Sequence, residues 1–257
     1  MGRLEGKVAV ITGAGSGMGK AMAQLFAAEG AKVVCADRSG KEEEVAAAIG
    51  GAAVAVHVDV AVSAQVQHMI ATAEQRFGKL DVLCNNAGFG GPMMPLAEQS
   101  EETFDTVHAV NLKGVFYGMK YGILAMLRAG GGSIVNTASA AGLVGWKHHS
   151  VYGAAKAGVI QMTRCAALDY ADRNIRANAV CPGYTWTGLV KQSQIHAVPP
   201  PDTPSPPGVP MQRWGLASEI AAAALFFASD ESSLITGVAM PVDGGYVIGN
   251  QPSPKVS

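Results

Sequence analysis

The sequence predicts an α/β fold: a doubly wound, seven-stranded parallel sheet with helices packed on both of its faces. Short runs rich in β-branched residues alternate along the chain with longer, alanine-rich stretches that have helical periodicity. Most of the short runs are almost continuously apolar, which is typical of strands buried on both faces of a parallel sheet. The alternation continues without a break, so we predict one domain over residues 1–257.

Turn-forming and capping residues set the limits of the predicted elements. Gly30 and Gly78 are placed to end helices, and Ser63, Ser100 and Ser218 are placed to begin them. The predicted strands are residues 7–12, 32–36, 52–58, 80–85, 132–137, 175–181 and 237–242. The predicted helices are residues 17–29, 41–49, 63–77, 101–128, 150–171 and 218–228.

A proline-rich segment interrupts this pattern near the C-terminus. The run VPPPDTPSPPGVP cannot form a helix or a central strand, because proline lacks the backbone N–H that both structures need. A loop this long inside a compact domain is usually functional or disordered. We interpret residues 188–214 as a loop that closes over a substrate, with a rigid connector as the alternative.

The composition argues against several classes of protein. The chain is 49% hydrophobic, has a formal net charge of -1 and contains no run of basic residues, so nucleic acid and anionic membranes are not expected partners. No segment is long and apolar enough to cross a membrane, and the N-terminus has no apolar segment ending in a cleavage site, so we expect no cleavable leader. The four cysteines form no CxxC pair, which favours free thiols in the cytoplasm over disulfides or a metal site.

A glycine-rich loop joins the first predicted strand to the first predicted helix. In VITGAGSGMGKAM, Gly13, Gly17 and Gly19 permit a tight turn and let backbone N–H groups approach a pyrophosphate. The same glycines could serve only as a turn, but their place between a buried strand and an amphipathic helix favours dinucleotide binding. The spacing TGxxxGxG differs slightly from the commoner GxGxxG pattern.

The residues around the end of the second strand favour NAD over NADP. Asp37 follows the glycine loop by about 20 residues, where an acid can accept hydrogen bonds from the adenosine ribose. Its charge would also repel a 2′-phosphate. Ser16 supplies no positive charge for that phosphate, although Arg38 could receive it. We therefore predict NAD as the cofactor.

Further motifs follow the glycine loop in a set order. They are NNAG at 85–88, Asn111 in NLKG, Ser139 after IVNTA, YGAAK at 152–156 and PGYTWT at 182–187. Together, over about residues 5–246, they resemble the short-chain dehydrogenase/reductase family in its compact, single-domain branch. The resemblance implies a Rossmann-type fold, a nicotinamide dinucleotide cofactor and hydride transfer to or from a carbonyl carbon.

The resemblance also gives chemical meaning to a tyrosine and a lysine one helical turn apart, Tyr152 and Lys156. Tyrosine has a usual pKa of about 10, which a neighbouring ammonium can lower toward the range of a useful acid or base. Tyr152 is therefore the predicted acid/base, and the resemblance implies that Lys156 also holds the nicotinamide ribose. It further implies that Ser139 binds the substrate oxygen and that Asn111 anchors a water in a proton relay.

The cofactor-binding residues are likewise implied by the resemblance. Asp59 and Val60 are expected to meet the adenine ring, and the PGYTWT loop is expected to meet the nicotinamide. The full set is Gly13, Ser16, Gly17, Met18, Gly19, Asp37, Arg38, Asp59, Val60, Asn86, Ala87, Gly88, Tyr152, Lys156, Pro182, Gly183, Thr185 and Thr187. Asn85 and Asn86 have an alternative interpretation, because both could simply satisfy backbone groups in a turn.

Methionine and aromatic residues recur in the loops after the predicted strand ends. They are Met93, Met94, Trp146, Tyr184, Trp186, Met211 and Trp214. Such residues are usually core residues, but ligands of open α/β sheets bind at these strand ends, which favours an apolar substrate pocket. His148 and His149 have no acid or cysteine nearby and are expected to be solvated.

These observations predict an NAD-dependent enzyme that acts on a neutral, partly apolar secondary alcohol or its ketone. Residues 89–99 and 188–214 are expected to select the substrate, and neither segment carries a charged cluster. Two alternatives stay open: an NADP-dependent 3-oxoacyl-thioester reductase, and a non-catalytic dinucleotide-binding regulator on the same fold. The resemblance also implies a homotetramer built through helices 101–128 and 150–171.

Overall fold

A computed structural model describes residues 2–187 and 198–249. The strands are β1 (Val8–Thr12), β2 (Lys32–Asp37), β3 (Ala53–His57), β4 (Val82–Asn85), β5 (Gly132–Thr137), β6 (Ile175–Pro182), β7 (Thr185–Trp186), β8 (Gly215–Leu216) and β9 (Ala239–Val242). The main sheet has seven parallel strands in the order β3-β2-β1-β4-β5-β6-β9, which confirms the predicted doubly wound fold. The two short strands β7 and β8 pair with each other outside this sheet.

The helices also follow the predicted alternation, with one exception. They are α1 (Gly17–Ala28), α2 (Lys41–Ile49), α3 (Ser63–Phe77), α4 (Glu101–His108), α5 (Gly114–Ala129), α6 (Ser150–Tyr170) and α7 (Ala217–Ala228). The prediction of a single helix over 101–128 is wrong, because a π-helical turn at Ala109–Lys113 separates α4 from α5. Such turns often mark functional positions, and this one contains Asn111.

The capping predictions are partly confirmed. Gly78 ends α3 with a φ of 86°, a left-handed conformation that glycine adopts without strain. The hydroxyl oxygen of Ser100 caps α4 by accepting the N–H of Thr103 at 3.1 Å. The prediction for Ser218 is wrong: α7 begins one residue earlier, and a carboxylate oxygen of Glu219 accepts the N–H of Leu216 at 2.8 Å.

Two apolar cores lie on the two faces of the sheet. Successive residues of β1 point to opposite faces, so Val10 packs with the residues of α3, α5 and α6, whereas Ile11 packs with those of α1, α2 and α7. Strands buried on both faces explain why the predicted strands read as continuous apolar runs. Pro241 lies in the edge strand β9, where its missing N–H interrupts no central ladder.

The strand order places a crevice at the carboxyl end of the sheet. The chain passes from β1 outward through β2 to β3, and then returns to the other side of β1 with β4. Loops after β1 and β4 therefore separate toward opposite faces at this point. In open α/β sheets, ligands bind in the crevice that this reversal creates.

The predicted substrate loop is described only in part, because residues 188–197 lie outside the described ranges. The rest of the loop is attached to the C-terminal part of the sheet. Met211 donates its backbone N–H to the carbonyl of Gly244 at 3.1 Å, and Gly215 donates to the carbonyl of Tyr184 at 2.9 Å. Closure of residues 188–214 over a substrate stays a prediction.

Within the described residues, no helix is long and apolar enough to cross a membrane. All four cysteines are free thiols, and Cys35, Cys84 and Cys181 are buried, whereas Cys165 is exposed.

Candidate active site

The glycine loop after β1 has a backbone that only glycine supports well. Gly13 and Gly17 have φ values of 70° and 52°, in the left-handed region. A Cβ atom on Gly19 would collide with the carbonyl oxygen of Gly13, and one on Gly13 would lie 2.9 Å from the amide nitrogen of Asn86. The loop thus keeps open a surface that side chains would fill, and this surface fits a dinucleotide pyrophosphate.

The start of α1 lies beside this loop. Ser16 is the N-cap residue, and its side chain makes no capping hydrogen bond within the part of the chain that the structure describes. The first turn of α1, which includes Gly17 and Met18, carries no acidic residue, so its N–H groups and the helix dipole favour an anion. Thr187, from the PGYTWT loop, lies against Gly17 and brings a second loop to the same place.

Asp37 lies on the other side of the glycine loop and contacts it. One carboxylate oxygen accepts the N–H of Gly15 at 2.9 Å, and the other accepts the N–H groups of Arg38 at 2.7 Å and Ser39 at 3.0 Å. Three backbone donors therefore fix the carboxylate beside the loop. The Arg38 guanidinium lies 3.6 Å from a carboxylate oxygen of Asp59, so the residue that could receive a 2′-phosphate already faces an acid.

The NNAG segment is held to β1 by hydrogen bonds. The Thr12 hydroxyl oxygen accepts the backbone N–H groups of Asn86 at 2.9 Å and Ala87 at 3.0 Å. The Asn86 amide donates to the Thr12 carbonyl at 3.0 Å and accepts from the Thr137 hydroxyl at 3.3 Å. Asn86 thus joins three strand ends, which supports the interpretation that its side chain satisfies neighbouring protein groups.

Asn85 belongs to a buried polar network deeper in the sheet. Its amide donates to Asn136 at 2.8 Å, and Asn136 donates to the Thr163 hydroxyl at 2.9 Å. Thr163 in turn donates to the carbonyl of Val159, one turn earlier in α6, at 2.7 Å. This network joins β4 and β5 to α6, the helix that carries Tyr152 and Lys156.

Tyr152 and Lys156 lie next to each other on α6, as their spacing predicts. The Lys156 ammonium nitrogen is 5.8 Å from the centroid of the Tyr152 ring and donates to the carbonyl of Thr137 at 2.8 Å. Lys156 is only 3% exposed. Burial lowers its pKa to about 8, because the surrounding protein solvates the ammonium poorly.

The pKa of the Tyr152 phenol differs from the expectation. Burial raises its pKa above the usual value, and the hydrogen bond with Ser139 opposes this rise only in part. The Ser139 hydroxyl oxygen also accepts the N–H of Ala141 at 3.1 Å, which fixes the side chain at the end of β5. In this structure desolvation has the larger effect on Tyr152, and the lowering expected from Lys156 does not prevail.

Asn111 sits in the π-helical turn, fully buried. Its side-chain oxygen accepts the N–H of Phe89 at 3.0 Å, and its amide donates to the carbonyl of the same residue at 2.8 Å. A Cβ on Gly88 would collide with this side chain and would lie 3.4 Å from the Lys156 nitrogen. Asn111 therefore lies close to Lys156 and holds the start of the loop 89–99; the proton relay stays a prediction.

The remaining predicted cofactor residues lie around this crevice. Pro182 ends β6, and Gly183 donates its N–H to the carbonyl of Val242 at 3.1 Å. Thr185 donates its hydroxyl to the carbonyl of Gly183 at 3.2 Å. Val60 is buried after β3 and lies where a Cβ on Gly114 would be only 2.9 Å away.

Aromatic side chains form a cluster beside Tyr152. The Trp146 ring stacks on Tyr184 with centroids 4.8 Å apart and an interplanar angle of 19°. Tyr246 contacts both rings, at 5.3 Å from Trp146 and 5.6 Å from Tyr184. Trp214 extends the cluster at 6.0 Å from Tyr184. We call these four residues, together with His149, the aromatic cluster.

Sequence reasoning missed the place of His149. Its ring lies between Trp146, at 5.5 Å, and Tyr152, at 6.2 Å, and the residue is partly exposed, so it is solvated only in part. Its spacing of three residues before Tyr152 was the available signal, since residues i and i+3 of a helix share a face. The other predicted pocket residues differ in exposure: Trp186 is 3% exposed, whereas Met93 is 67% exposed.

The chain is similar to known oxidoreductases along most of its length. The family model described as enoyl-(acyl carrier protein) reductase matches residues 13–247. The chain is 41% identical to cyclohexanol dehydrogenase of Acinetobacter sp. (strain SE19), over 95% of this chain and 96% of that protein. It is 38% identical to levodione reductase of Leifsonia aquatica, over 95% of both proteins.

A solved structure shows the same architecture. The 3-ketoacyl-(acyl-carrier-protein) reductase from Brucella melitensis, complexed with NADH, superimposes with a TM-score of 0.87. Its sequence is 37% identical, and the match covers 95% of this chain and 100% of that one. With these matches and the site geometry, the chain belongs to the short-chain dehydrogenase/reductase family of oxidoreductases, which use a nicotinamide dinucleotide.

Proposed function

We propose that this protein is an NAD-dependent dehydrogenase of neutral, partly apolar secondary alcohols, acting reversibly on the corresponding ketones. The observation that carries the proposal is the joint placement of Tyr152, Ser139 and Lys156 next to a glycine loop bordered by Asp37. One group can exchange a proton, a second can bind an oxygen, and a third supplies positive charge.

The residues of the crevice fit a nicotinamide dinucleotide. The glycine loop and the first turn of α1 would hold its pyrophosphate, and Asp37 would accept hydrogen bonds from the adenosine ribose. When bound, the nicotinamide ring accepts or donates the hydride. The protein's own contribution is to orient the reacting carbon and to move the accompanying proton.

Tyr152 is suited to the proton transfer. Its raised pKa keeps the phenol protonated at neutral pH, so Tyr152 can donate a proton to a carbonyl oxygen during reduction. Because Ser139 already accepts the N–H of Ala141, its hydroxyl proton is available to a substrate oxygen or to Tyr152. The Lys156 charge, 5.8 Å from the ring, would stabilise the phenolate that remains.

The preference for NAD rests on Asp37 and Arg38. The Asp37 carboxylate is fixed by three N–H groups, so moving it away from a 2′-phosphate would break hydrogen bonds. Arg38 is already near Asp59, which reduces its availability to that phosphate. Both observations favour the dinucleotide that has a free 2′-hydroxyl.

The substrate class rests on the aromatic cluster and on the relatives. Trp146, Tyr184 and Tyr246 offer apolar ring surface close to Tyr152, with no cationic residue among them. Such a surface suits a flat or cyclic, uncharged substrate. One relative is named a cyclohexanol dehydrogenase, and another is named a levodione reductase.

A second candidate function is the reduction of a 3-oxoacyl thioester. It is favoured by the structural match to a 3-ketoacyl-(acyl-carrier-protein) reductase. Because that structure holds NADH, a preference for NADH would not separate the two candidates. A non-catalytic regulator is the third possibility, and the presence of all four predicted catalytic residues argues against it.

The proposal is tested with a panel of substrates and both cofactors. Cyclic and aromatic secondary alcohols are offered with NAD and with NADP, and the reduced nicotinamide is followed by its absorbance. In the reverse direction, cyclohexanone is compared with an acetoacetyl thioester. Turnover of the cyclic compounds with NAD supports the proposal, whereas activity confined to the thioester would establish the second candidate.

We also propose that the protein assembles as a homotetramer through α4, α5 and α6. Phe104 and Phe116 are 48% and 46% exposed, and Leu168 is 84% exposed, so these helices offer apolar side chains that a partner subunit could cover. Light scattering coupled to size-exclusion chromatography measures the assembly mass. A mass of one chain would overturn this proposal.

A further inference from the structure

The indole N–H of Trp146 is buried without a hydrogen-bond partner among residues 2–187 and 198–249. Most buried polar groups in proteins are hydrogen-bonded, and an unpaired buried donor is costly. The hydroxyl of Ser150, at the start of α6, is buried without a partner in the same described ranges. Two unpaired polar groups thus lie in the short segment between Ser139 and Tyr152.

The Trp146 ring packs among three other rings of the aromatic cluster. It stacks on Tyr184 and meets the edges or faces of Tyr246 and His149. His149 in turn contacts the ring of Tyr152. The Trp146 donor therefore lies two ring contacts away from the predicted acid/base.

A second indole of the aromatic cluster has a hydrogen-bond acceptor from outside the cluster. Trp214 lies in the same aromatic cluster, and its N–H donates to the carbonyl of Pro204 at 3.0 Å. Among the described residues, the indole N–H of Trp214 thus has a partner and that of Trp146 has none.

The backbone next to Trp146 is also unusual. His148 has a φ of 66°, a conformation that non-glycine residues seldom adopt. Its carbonyl accepts the N–H of Met94 at 3.2 Å, which joins the segment to the predicted substrate loop 89–99. Strained backbone of this kind concentrates at ligand-binding and active sites.

We propose that Trp146 donates its indole N–H to a second oxygen of the substrate, away from the carbon that reacts. This inference rests on the proposed function, because it assumes a ketone or alcohol bound beside Tyr152. An indole N–H is a donor only, so it recognises a carbonyl or hydroxyl oxygen. The preferred substrates are therefore cyclic diketones, hydroxy ketones or diols, and Trp146 is a specificity-determining residue.

The test compares two ketones that differ in the second oxygen. With NADH, kcat/KM is measured for cyclohexane-1,4-dione and for cyclohexanone in the wild type and in Trp146→Phe, which keeps an aromatic ring but lacks the N–H. We expect kcat/KM for the dione to fall about five- to tenfold more than that for cyclohexanone, which corresponds to one neutral hydrogen bond. Equal losses for both ketones, or no loss for the dione, would overturn the inference.

Trp214→Phe is the matched control. It makes the same ring exchange in the same cluster but removes an N–H that is already paired with Pro204. We expect it to change the two ketones by the same factor. If the wild type reduces neither ketone, the proposed function fails; if it reduces both and Trp146→Phe leaves their ratio unchanged, only the present inference fails.

A measurement on the wild type does not depend on how the variant folds. The chain has three tryptophans, whose indole N–H signals are separated by 15N labelling and assigned with the Trp186→Phe and Trp214→Phe variants. In the presence of NADH, the Trp146 signal is expected to move downfield with a non-reacting dione analogue and to move less with its monoketone counterpart. The same shift with both ligands would overturn the inference.

Discussion

Lys156 donates its ammonium N–H to the main-chain carbonyl of Thr137, at 2.8 Å. This bond fixes a cation inside the protein, 5.8 Å from the centroid of the Tyr152 ring. Since the side chain is 3% exposed, the ammonium is solvated by few groups. Because burying this charge costs free energy, the protonation of Lys156 is coupled to folding.

Stability should depend on pH through Lys156. Its pKa falls from 10.5 to about 8 on burial, so between these pH values the unfolded chain holds a proton that the folded protein has lost. The free energy of unfolding therefore rises with pH in this window and is insensitive to Lys156 below it. Relative to Lys156→Met, the wild type should gain about 2 kcal/mol between about pH 7.5 and about pH 9.5.

Urea unfolding of both proteins at the two pH values measures this difference. Titrating groups that do not interact with Lys156 contribute equally to the two proteins and cancel. A constant difference between wild type and variant would mean that burial does not lower the pKa of Lys156.

Tyr152→Phe should leave a folded protein that binds NAD but hardly turns over. The ring still packs against His149, while the exchangeable proton is gone. General acid–base catalysis is typically worth about 10²–10⁴-fold, and we expect a loss of kcat in that range. Steady-state kinetics measures the loss of kcat, and the fluorescence of bound NADH measures whether cofactor binding is kept.

Tyr121→Phe is the control for this loss. Its hydroxyl is hydrogen-bonded to Ser63 at 2.7 Å, away from the predicted catalytic residues. We expect a decrease in stability of about 1 kcal/mol and unchanged kcat. Near-normal turnover by Tyr152→Phe would exclude Tyr152 as the acid/base.

Asp37→Ala should narrow the preference for NAD over NADP. The substitution removes a charge that repels a 2′-phosphate and also frees the N–H groups of Gly15 and Ser39. We expect a higher KM for NAD and a lower KM for NADP, measured with one alcohol at saturation. If the unmodified protein already prefers NADP, then Arg38 governs the choice and our interpretation of Asp37 is wrong.

Thr163→Val should reduce both stability and kcat. Thr163 accepts a hydrogen bond from Asn136 in the buried network that attaches α6 to β5. Valine has the same shape but leaves the Asn136 amide without this acceptor, which should cost about 1–3 kcal/mol in free energy of unfolding. A displaced α6 would also move Tyr152. We therefore expect kcat to decrease by a larger factor than the affinity for NAD.

Thr72→Val provides a matched comparison on an exposed helix face. Thr72 donates to the carbonyl of His68 at 2.9 Å, as Thr163 does to Val159, but has no buried amide partner. Chemical denaturation should show a change of no more than about 0.5 kcal/mol for this variant. Similar losses for both variants would show that the Asn136 network adds nothing.

The sequence determined the fold and the order of the site motifs. Strand positions followed from short apolar runs and helix positions from periodicity, both of which depend on neighbours only a few residues apart. The glycine loop could be recognised because its backbone tolerates only glycine at Gly13 and Gly19. The spacing of Tyr152 and Lys156 placed them on one helix face without any knowledge of the sheet.

Only the tertiary structure decided how these groups affect one another. Asn111, in the π-helical turn, pairs with the backbone of Phe89, which is 22 residues away. The direction in which the Tyr152 pKa shifts depends on burial by distant segments. This shift is opposite to the one expected from Lys156 alone. Whether the N–H of Trp146 finds a partner among the described residues likewise depends on which groups of the folded chain reach it. Hydrogen-bond partners and desolvation come from long-range contacts that local sequence patterns do not encode.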